Sequence, residues 1–357
     1  MKKYLGTILI VIIALTTYTY TDISLDDFSS IASLTGKASE TQNQFIQETI
    51  DTGSVSITFC PNGLCEETLL DFINNAEDSL HCAFYDIGLE SVQDALLQKY
   101  EEIEVQVVTD NDYFHKFPYN GFVKQDRSAY MHNKFCITGN KVITGSMNPT
   151  DNGANKNDNN LLVIESQELA NNFETEFQEL WSGTFKKGDP NALIVNLSTT
   201  EQQLVIESYF CPDDDCATAV ETEIQAATES VYFMTFSFTH DGIANNILVK
   251  HQEAIEQATE FDVRGIFESR QNSKYSKFDV FDYQGVEVYT DANKNTMHHK
   301  VFIIDAETVI PGSMNPSNNG VDGNDETLLI IHSDEVAKAF TTEFERIFNE
   351  AKSKAES

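Results

Sequence analysis

Two short segments carry the residues that can do chemistry. One is Met131-His132-Asn133-Lys134, followed by Gly145-Ser146-Met147-Asn148; the other is Met297-His298-His299-Lys300, followed by Gly312-Ser313-Met314-Asn315. Alternate side chains of an extended strand share a face, so a His-x-Lys triplet in a strand projects an imidazole and an ammonium to the same side. In the first segment Gly139-Asn140 separates the apolar runs 135–138 and 142–144. This is a two-residue hairpin signal that folds Ser146 and Asn148 back beside the His-Lys strand. Each segment then presents an imidazole, a cation, a hydroxyl and an amide on one surface, a set suited to attack at phosphorus and to holding its non-bridging oxygens. A single His-x-Lys is commonplace, but two with the same downstream Gly-Ser-Met-Asn-Pro point to one duplicated device.

The elements that must position these residues are duplicated as well. Asn159 to Ile164 matches Glu326 to Ile331, and Leu169, Phe173, Phe177 and Trp181 match Val336, Phe340, Phe344 and Phe348 at the offset that relates Ser146 to Ser313. Apolar residues at every fourth position predict an amphipathic helix closing each copy, its stripe facing a core. Upstream, the first copy reads as strand 54–59, helix 66–76, strand 80–87, helix 89–100 and strand 104–109. The second reads as 204–210, 217–228, 231–238, 242–258 and 262–267, with extra residues placed around His251 to Phe261. Alternating strands and helices imply a layered α/β fold of two duplicated halves, 52–185 and 203–353. The breaker-rich Lys186-Lys-Gly-Asp-Pro190 begins a linker, 186–202. Residues 22–51 read as a polar spacer, in which Phe45, Ile46 and Ile50 fit a short helix.

Lys2 and Lys3 precede an apolar run from Tyr4 to Leu15, so residues 1–21 read as a signal peptide or a membrane anchor. The longer segment 4–20 approaches the roughly 17 residues that span a bilayer. Both readings put the body outside the cytoplasm, secreted or tethered. Cys60 and Cys65 recur in the same context as Cys211 and Cys216, and outside the cytoplasm this repeated C-x4-C spacing predicts two local disulfides rather than a zinc site. Cys82 and Cys136, each inside an apolar run, are expected to be buried free thiols. With 57 acidic against 23 basic residues the formal charge is −34, so the surface repels polyanions and a long nucleic acid needs a local basic groove.

The paired motifs resemble the phospholipase D superfamily, whose signature is His-x-Lys-x4-Asp followed by Gly-(Gly/Ser)-x-Asn. His298, Lys300, Asp305, Gly312, Ser313 and Asn315 match it, with Glu326 downstream. The first copy departs twice, with Gly139 at the Asp position and Asn159 where the second has Glu326. The resemblance covers roughly residues 55 to 350. It implies two α/β/α halves related by a pseudo-twofold, one shared cleft, and a two-step displacement through a phosphohistidine that requires no metal or other cofactor. By the same resemblance Lys134, Lys300, Asn148 and Asn315 clamp the phosphoryl oxygens, assisted by Ser146 and Ser313. Gly145, Gly312 and Asp305 are structural. If the acidic residue of one half orients the histidine of the other, Glu326 makes His132 the nucleophile, and His298, paired with Asn159, becomes the general acid. A metal centre from His298, His299 and His332 is not expected, because only one of two adjacent histidines on a strand faces inward.

Three readings of function follow: a phospholipid phosphodiesterase, a metal-independent nuclease and a non-catalytic binder of phosphorylated ligands. The extracytoplasmic address and acidic body favour phospholipid over nucleic acid. Tyr113, Phe114, Phe117, Tyr119 and Phe122 offer a lipid-facing rim or, equally, core and loop packing, whereas Lys116, Lys124, Lys274, Lys277 and Lys294 are the residues available for a basic groove.

Overall fold

The apolar runs of the two copies become the central strands of two sheets. The computed structural model describes residues 46–119, 121–127 and 130–357. The signal-or-anchor segment 1–21 and the spacer up to residue 45 lie outside the described residues. A first strand, β1 (Gln47–Thr52), precedes the first half, which contributes β2 (Ser54–Cys60), β3 (Ser79–Phe84), β4 (Glu104–Thr109), β5 (Val123–Gln125), β6 (Lys134–Thr138), β7 (Lys141–Gly145) and β8 (Asn159–Glu165). After β9 (Leu193–Ser198), the second half contributes β10 (Gln203–Cys211), β11 (Ser230–Thr235), β12 (Asp262–Phe267), β13 (Glu287–Thr290), β14 (Lys300–Ile304), β15 (Thr308–Pro311) and β16 (Glu326–His332).

The sheet orders are β2-β8-β7-β6-β3-β4-β5 and β10-β16-β15-β14-β11-β12-β13, which is one order used twice. In both, the hairpin bearing the motif pairs antiparallel with its neighbours, while β3-β4-β5 and β11-β12-β13 run parallel. Every residue of β6 and β14 is buried. This is why these strands read as unbroken apolar runs rather than alternating ones. The outer face of the first sheet packs helices α1 (Cys65–Asn74) and α2 (Glu90–Tyr100) through Leu69, Phe72, Val92 and Leu96.

The stripes on the two closing helices lie in a single core between the halves. Counting helices along the chain, with α3 (Asp151–Asn155) between, these are α4 (Gln167–Ser182) and, after α5 (Cys216–Ala226), α6 (Asp241–Gln257), α7 (Phe278–Tyr283) and α8 (Asn318–Asp322), α9 (Asp334–Ala355). Phe173 of α4 meets Phe210 of the second half edge-on at 5.0 Å, and Phe340 of α9 meets Phe59 of the first in the same manner at 5.0 Å. Ser166 and Ser333 cap these helices, accepting from Leu169 N–H and Val336 N–H. The extra length of the second copy enters α6, longer than α2, and α7, which has no counterpart among the described residues of the first half.

Several expectations change. Residues 47–52 are a strand, not a helix, and β9 lies inside the segment read as a linker. β1 pairs parallel with β9, and β9 antiparallel with β10, so β1 lies in the second half's sheet and the chain crosses to the first at Gly53, whose N–H donates to Ser198 O at 3.0 Å. Phe117 and Phe122 are buried in the first half's core and cannot form a lipid-facing rim. Cys60–Cys65 and Cys211–Cys216 are disulfides as expected, but Cys82 and Cys136 are bonded too. The antiparallel register of β3 and β6 sets these two residues opposite each other, with Cα atoms 4.1 Å apart. Neither run announces its partner strand, so two buried thiols and one bridge look alike in sequence.

This third bridge closes the longest loop, with a sequence separation of 54, for which chain entropy alone gives stabilisation of about 4 kcal/mol. Joint replacement of Cys82 and Cys136 by Ala is expected to lower the unfolding free energy in denaturant titration by up to that amount. The denatured, unreduced protein is expected to contain no free thiol, and two would refute the bridge.

Candidate active site

Lys134 and Lys300 open β6 and β14, and His132 and His298 stand two residues earlier, just outside the strands rather than within them. These short lead-in segments pair across the halves. Met131 bridges Asp325 and Met297 bridges Asp158, with His132 N–H donating to Asp325 O at 2.9 Å and His298 N–H to Asp158 O at 2.8 Å. Each lysine folds back on its own motif, Lys134 Nζ donating to His132 O at 2.6 Å and Lys300 Nζ to His298 O at 2.8 Å. Imidazole and ammonium therefore sit together as the spacing required. Behind them Gly145 ends β7, Gly312 follows β15, and each precedes its serine; a Cβ at either would fall 2.3 Å from a backbone oxygen, of Asn160 or Thr327, so nothing larger fits.

Each histidine is oriented by the opposite half. His132 Nδ1 lies 2.8 Å from Glu326 Oε2, and His298 Nδ1 lies 2.9 Å from Asn159 Oδ1 and 3.1 Å from Ser146 O. Ser313 Oγ–H donates to Glu326 Oε2, Asn324 Nδ2 to Glu326 Oε1, and Ser146 Oγ–H to Asn159 Oδ1. The two serines thus hold the orienting groups, a different place from the phosphoryl-contacting one expected for them. Their partners are acceptors, so each ring donates from Nδ1, and Nε2 is the nitrogen left to the cleft. Asp305 lies elsewhere, accepting from the N–H groups of Thr228, Glu229 and Ser230. Gly139 makes the matching turn at φ 55°.

Residues 69–181 and 220–348, together more than half of the chain, match a family model described as cardiolipin synthase, PLD-like domain. The chain belongs to the phospholipase D superfamily. It is 30% identical over 123 residues to a mitochondrial cardiolipin hydrolase of Chlamydomonas reinhardtii, a match covering 31% of this chain and 55% of that protein. It is also 27% identical over 136 residues to a phospholipase D of Rickettsia conorii, covering 38% and 65%. The chain therefore spans little more than half the length of the first of these relatives. Phosphatidylserine synthase of Haemophilus influenzae shares the fold with a TM-score of 0.60 at 13% identity, over 83% of this chain and 86% of that one.

The phospholipase D site here is dry and strongly coupled. His132, Lys134, His298 and Lys300 are all buried, and Glu326 and Asn159 have no exposed surface. Burial, then the charges of Lys134 and Lys300, hold His132 well below the usual imidazole range, and burial with the same two lysines does so for His298. Burial lowers Lys134 to about 7 and raises Glu326 to about 7, the Lys134 charge partly opposing the latter. The carboxylate beside His132 favours an imidazolium, but burial and two lysines outweigh it. The pair is a neutral imidazole donating to a carboxylate.

Sequence reasoning missed the aromatic flank. Tyr85 and Phe236 follow β3 and β11 at matching positions, and their rings lie 4.7 and 4.8 Å from those of His132 and His298. Lys134 Nζ stands 5.4 Å from the Tyr85 ring centre and Lys300 Nζ 5.0 Å from that of Phe236. The signal was available, because Tyr85 and Phe236 share the offset that relates Cys60 to Cys211. Asn148 and Asn315 each carry a buried amide oxygen without a hydrogen-bond partner. The proposed-against trio His298, His299 and His332 does not assemble. Among the described residues, histidine and carboxylate ligand atoms gather only at Glu207, Glu223 and His332, where His332 Nε2 already meets Glu207 at 3.0 Å.

Proposed function

We propose that this phospholipase D-family cleft hydrolyses a phosphodiester, most readily that of a phospholipid, through a phosphohistidine on His132. The observation that carries the assignment is the unequal pairing of the two imidazoles: His132 faces a carboxylate, and His298 faces an amide. With its Nδ1–H held by Glu326, His132 attacks phosphorus through the Nε2 lone pair, and Glu326 stabilises the positive charge that develops on the ring. The Nε2–P bond forms as the ester P–O bond breaks. His298, which the incoming phosphodiester charge brings back toward the imidazolium, gives its Nε2 proton to the departing alkoxide. Water then attacks phosphorus, His298 takes its proton, and the P–N bond breaks. Lys134, Lys300 and the amide N–H groups of Asn148 and Asn315 supply donors to the phosphoryl oxygens.

Phospholipid is favoured over nucleic acid by the state of the lysines outside the cleft. Lys116 is neutralised by both oxygens of Asp86 at 2.8 Å, Lys277 pairs with Asp241, and Lys124 donates to Trp181 O and sits over that ring. A groove for a polyanion needs such charges free. The relatives named for cardiolipin hydrolysis and phospholipase D activity support the same choice. An extracytoplasmic location belongs to the proposal and is supported by three disulfides. Among the described residues no helix is long and apolar enough to cross a membrane.

The test incubates the protein, in chelator, with vesicles of phosphatidylcholine, phosphatidylethanolamine, phosphatidylglycerol and cardiolipin, and separately with single-stranded and duplex DNA, with His132→Ala as control. Lipid headgroup release that His132→Ala lacks supports the proposal. Shortening of DNA alone overturns the substrate class, and binding without turnover of either overturns the enzyme.

A further inference from the structure

The residue between His and Lys in each motif faces away from the cleft, and both are fully buried. Asn133 accepts from Thr327 Oγ–H at 2.6 Å, next to Glu326, and His299 Nδ1 lies 2.9 Å from Asn160 Nδ2, next to Asn159. Each therefore grips the neighbour of the group that orients the opposite histidine.

The two arrangements then diverge. Asn160 Nδ2 is a donor, so His299 Nδ1 accepts and the proton sits on Nε2, 3.7 Å from Glu343 Oε1. Glu343 is held by Arg346 at 2.6 and 2.9 Å, Arg346 reaches Asp158 at 2.7 Å, and Asp158 O accepts from His298 N–H. On the other side Asn160 N–H donates to Ser146 Oγ, which donates to Asn159 Oδ1, the partner of His298 Nδ1. These contacts run in a circuit around His298 on both sides, linked by hydrogen bonds except at the 3.7 Å approach of His299 Nε2 to Glu343. In the first half the place of Arg346 is taken by Glu179, and Asn133 reaches only the buried Glu176, which burial keeps well above the usual carboxylate range. The circuit around His132 is open.

We propose that His299 is a positioning residue for His298, holding it through Asn160 on one side and Glu343, Arg346 and Asp158 on the other as the Nδ1–H tautomer with Nε2 presented to the cleft. The catalytic consequence rests on the role of His298 proposed above; the structural content does not. A histidine that donates protons to a leaving group and then takes one from water must keep one tautomer through both steps, and a neutral ring held by an amide lacks the electrostatic grip of a carboxylate. The circuit supplies what Asn159 cannot.

The experiment uses the full chain with 15N-labelled histidine, His298 signals being identified by their loss in His298→Ala. The wild type is expected to show His298 as a single neutral Nδ1–H tautomer. His299→Leu, and less strongly Arg346→Met at the outer end of the circuit, are expected to give mixed tautomers. Turnover of a short-chain phosphatidyl ester is expected to fall at least about tenfold in kcat with KM within about twofold. The first-equivalent burst of nitrophenolate from bis(4-nitrophenyl) phosphate, whose leaving group needs no acid, keeps its rate within about threefold. His299→Asn, the residue found in the first half, is expected to restore part of the loss. An unchanged single tautomer in both variants overturns the proposal, as does an equal loss in the nitrophenolate burst, which marks a general folding defect. A wild type with the expected tautomer and no turnover refutes the phosphodiesterase reading and leaves the positioning intact.

Discussion

His132→Ala is expected to abolish turnover, lowering kcat by at least about 10⁴, because the substitution removes the group proposed to form the covalent bond to phosphorus. The counterpart His298→Ala separates the two imidazoles. With bis(4-nitrophenyl) phosphate the nitrophenolate leaves without protonation, so this variant is expected to release a rapid burst of one equivalent and then stall, since the water of the second step has lost its base. Protein denatured at alkaline pH and mapped from the stalled reaction is expected to carry the 4-nitrophenyl phosphoryl group on His132. The cross-half geometry makes this asymmetric: Glu326 Oε2 at 2.8 Å supports positive charge on His132, whereas the Asn159 amide at 2.9 Å from His298 does not. The same group found on His298, with a burst from His132→Ala, reverses the roles.

Glu326→Gln is expected to cost about 10² to 10⁴ in kcat and to remove the acid limb of the pH profile. Glu326 must be ionised to accept the His132 proton, and burial raises it to about 7. As pH falls through that value the carboxylate protonates and activity declines. Lys134 must be charged to hold the phosphoryl group, and burial lowers it to about 7. As pH rises through that value activity declines again. A bell centred near neutrality is therefore expected for kcat/KM, its limbs belonging to the coupled cluster of His132, Glu326, Lys134 and Lys300. Bound substrate adds negative charge beside Lys134, so the basic limb of kcat is expected at higher pH than that of kcat/KM. Retention of the acid limb in Glu326→Gln assigns it to another group and undercuts the orienting role of this carboxylate.

Such coupling depends on dryness as much as on residue type. The two lysines have almost no exposed surface, and the orienting groups none. At comparable separations in water the same charges would interact several-fold more weakly. The protein-wide charge of −34 does not set the local potential here, because the cleft sets two lysines and one carboxyl group against the imidazoles.

How much of this was legible in the residue order differs by element. The His-x-Lys triplets, the Gly-Ser-Met-Asn returns and the helix stripes were readable because each is a local pattern with a fixed period, and the duplication printed each pattern twice. The same duplication led to the correct α/β halves and to two of the three disulfides. The strands β1 and β9 were not readable, since a parallel pair joined through distant parts of the chain leaves no local trace. Nor was the Cys82–Cys136 bridge, which exists because two strands far apart in the chain share a register. The rim assigned to Phe117 and Phe122 failed for the ordinary reason that an aromatic residue in a loop can turn inward.

The order of residues alone marked which groups have the types and spacing to do chemistry and that there are two sets of them. Type and spacing decide what a strand or its lead-in can present, and those are local properties. Tertiary structure decided that the two sets come together, that Glu326 meets His132 while Asn159 meets His298, and that His299 bonds the neighbour of only one of these orienting groups. Those outcomes come from packing one half against the other, where burial sets the proton affinities and distance selects the partners. Neither is encoded at any single position.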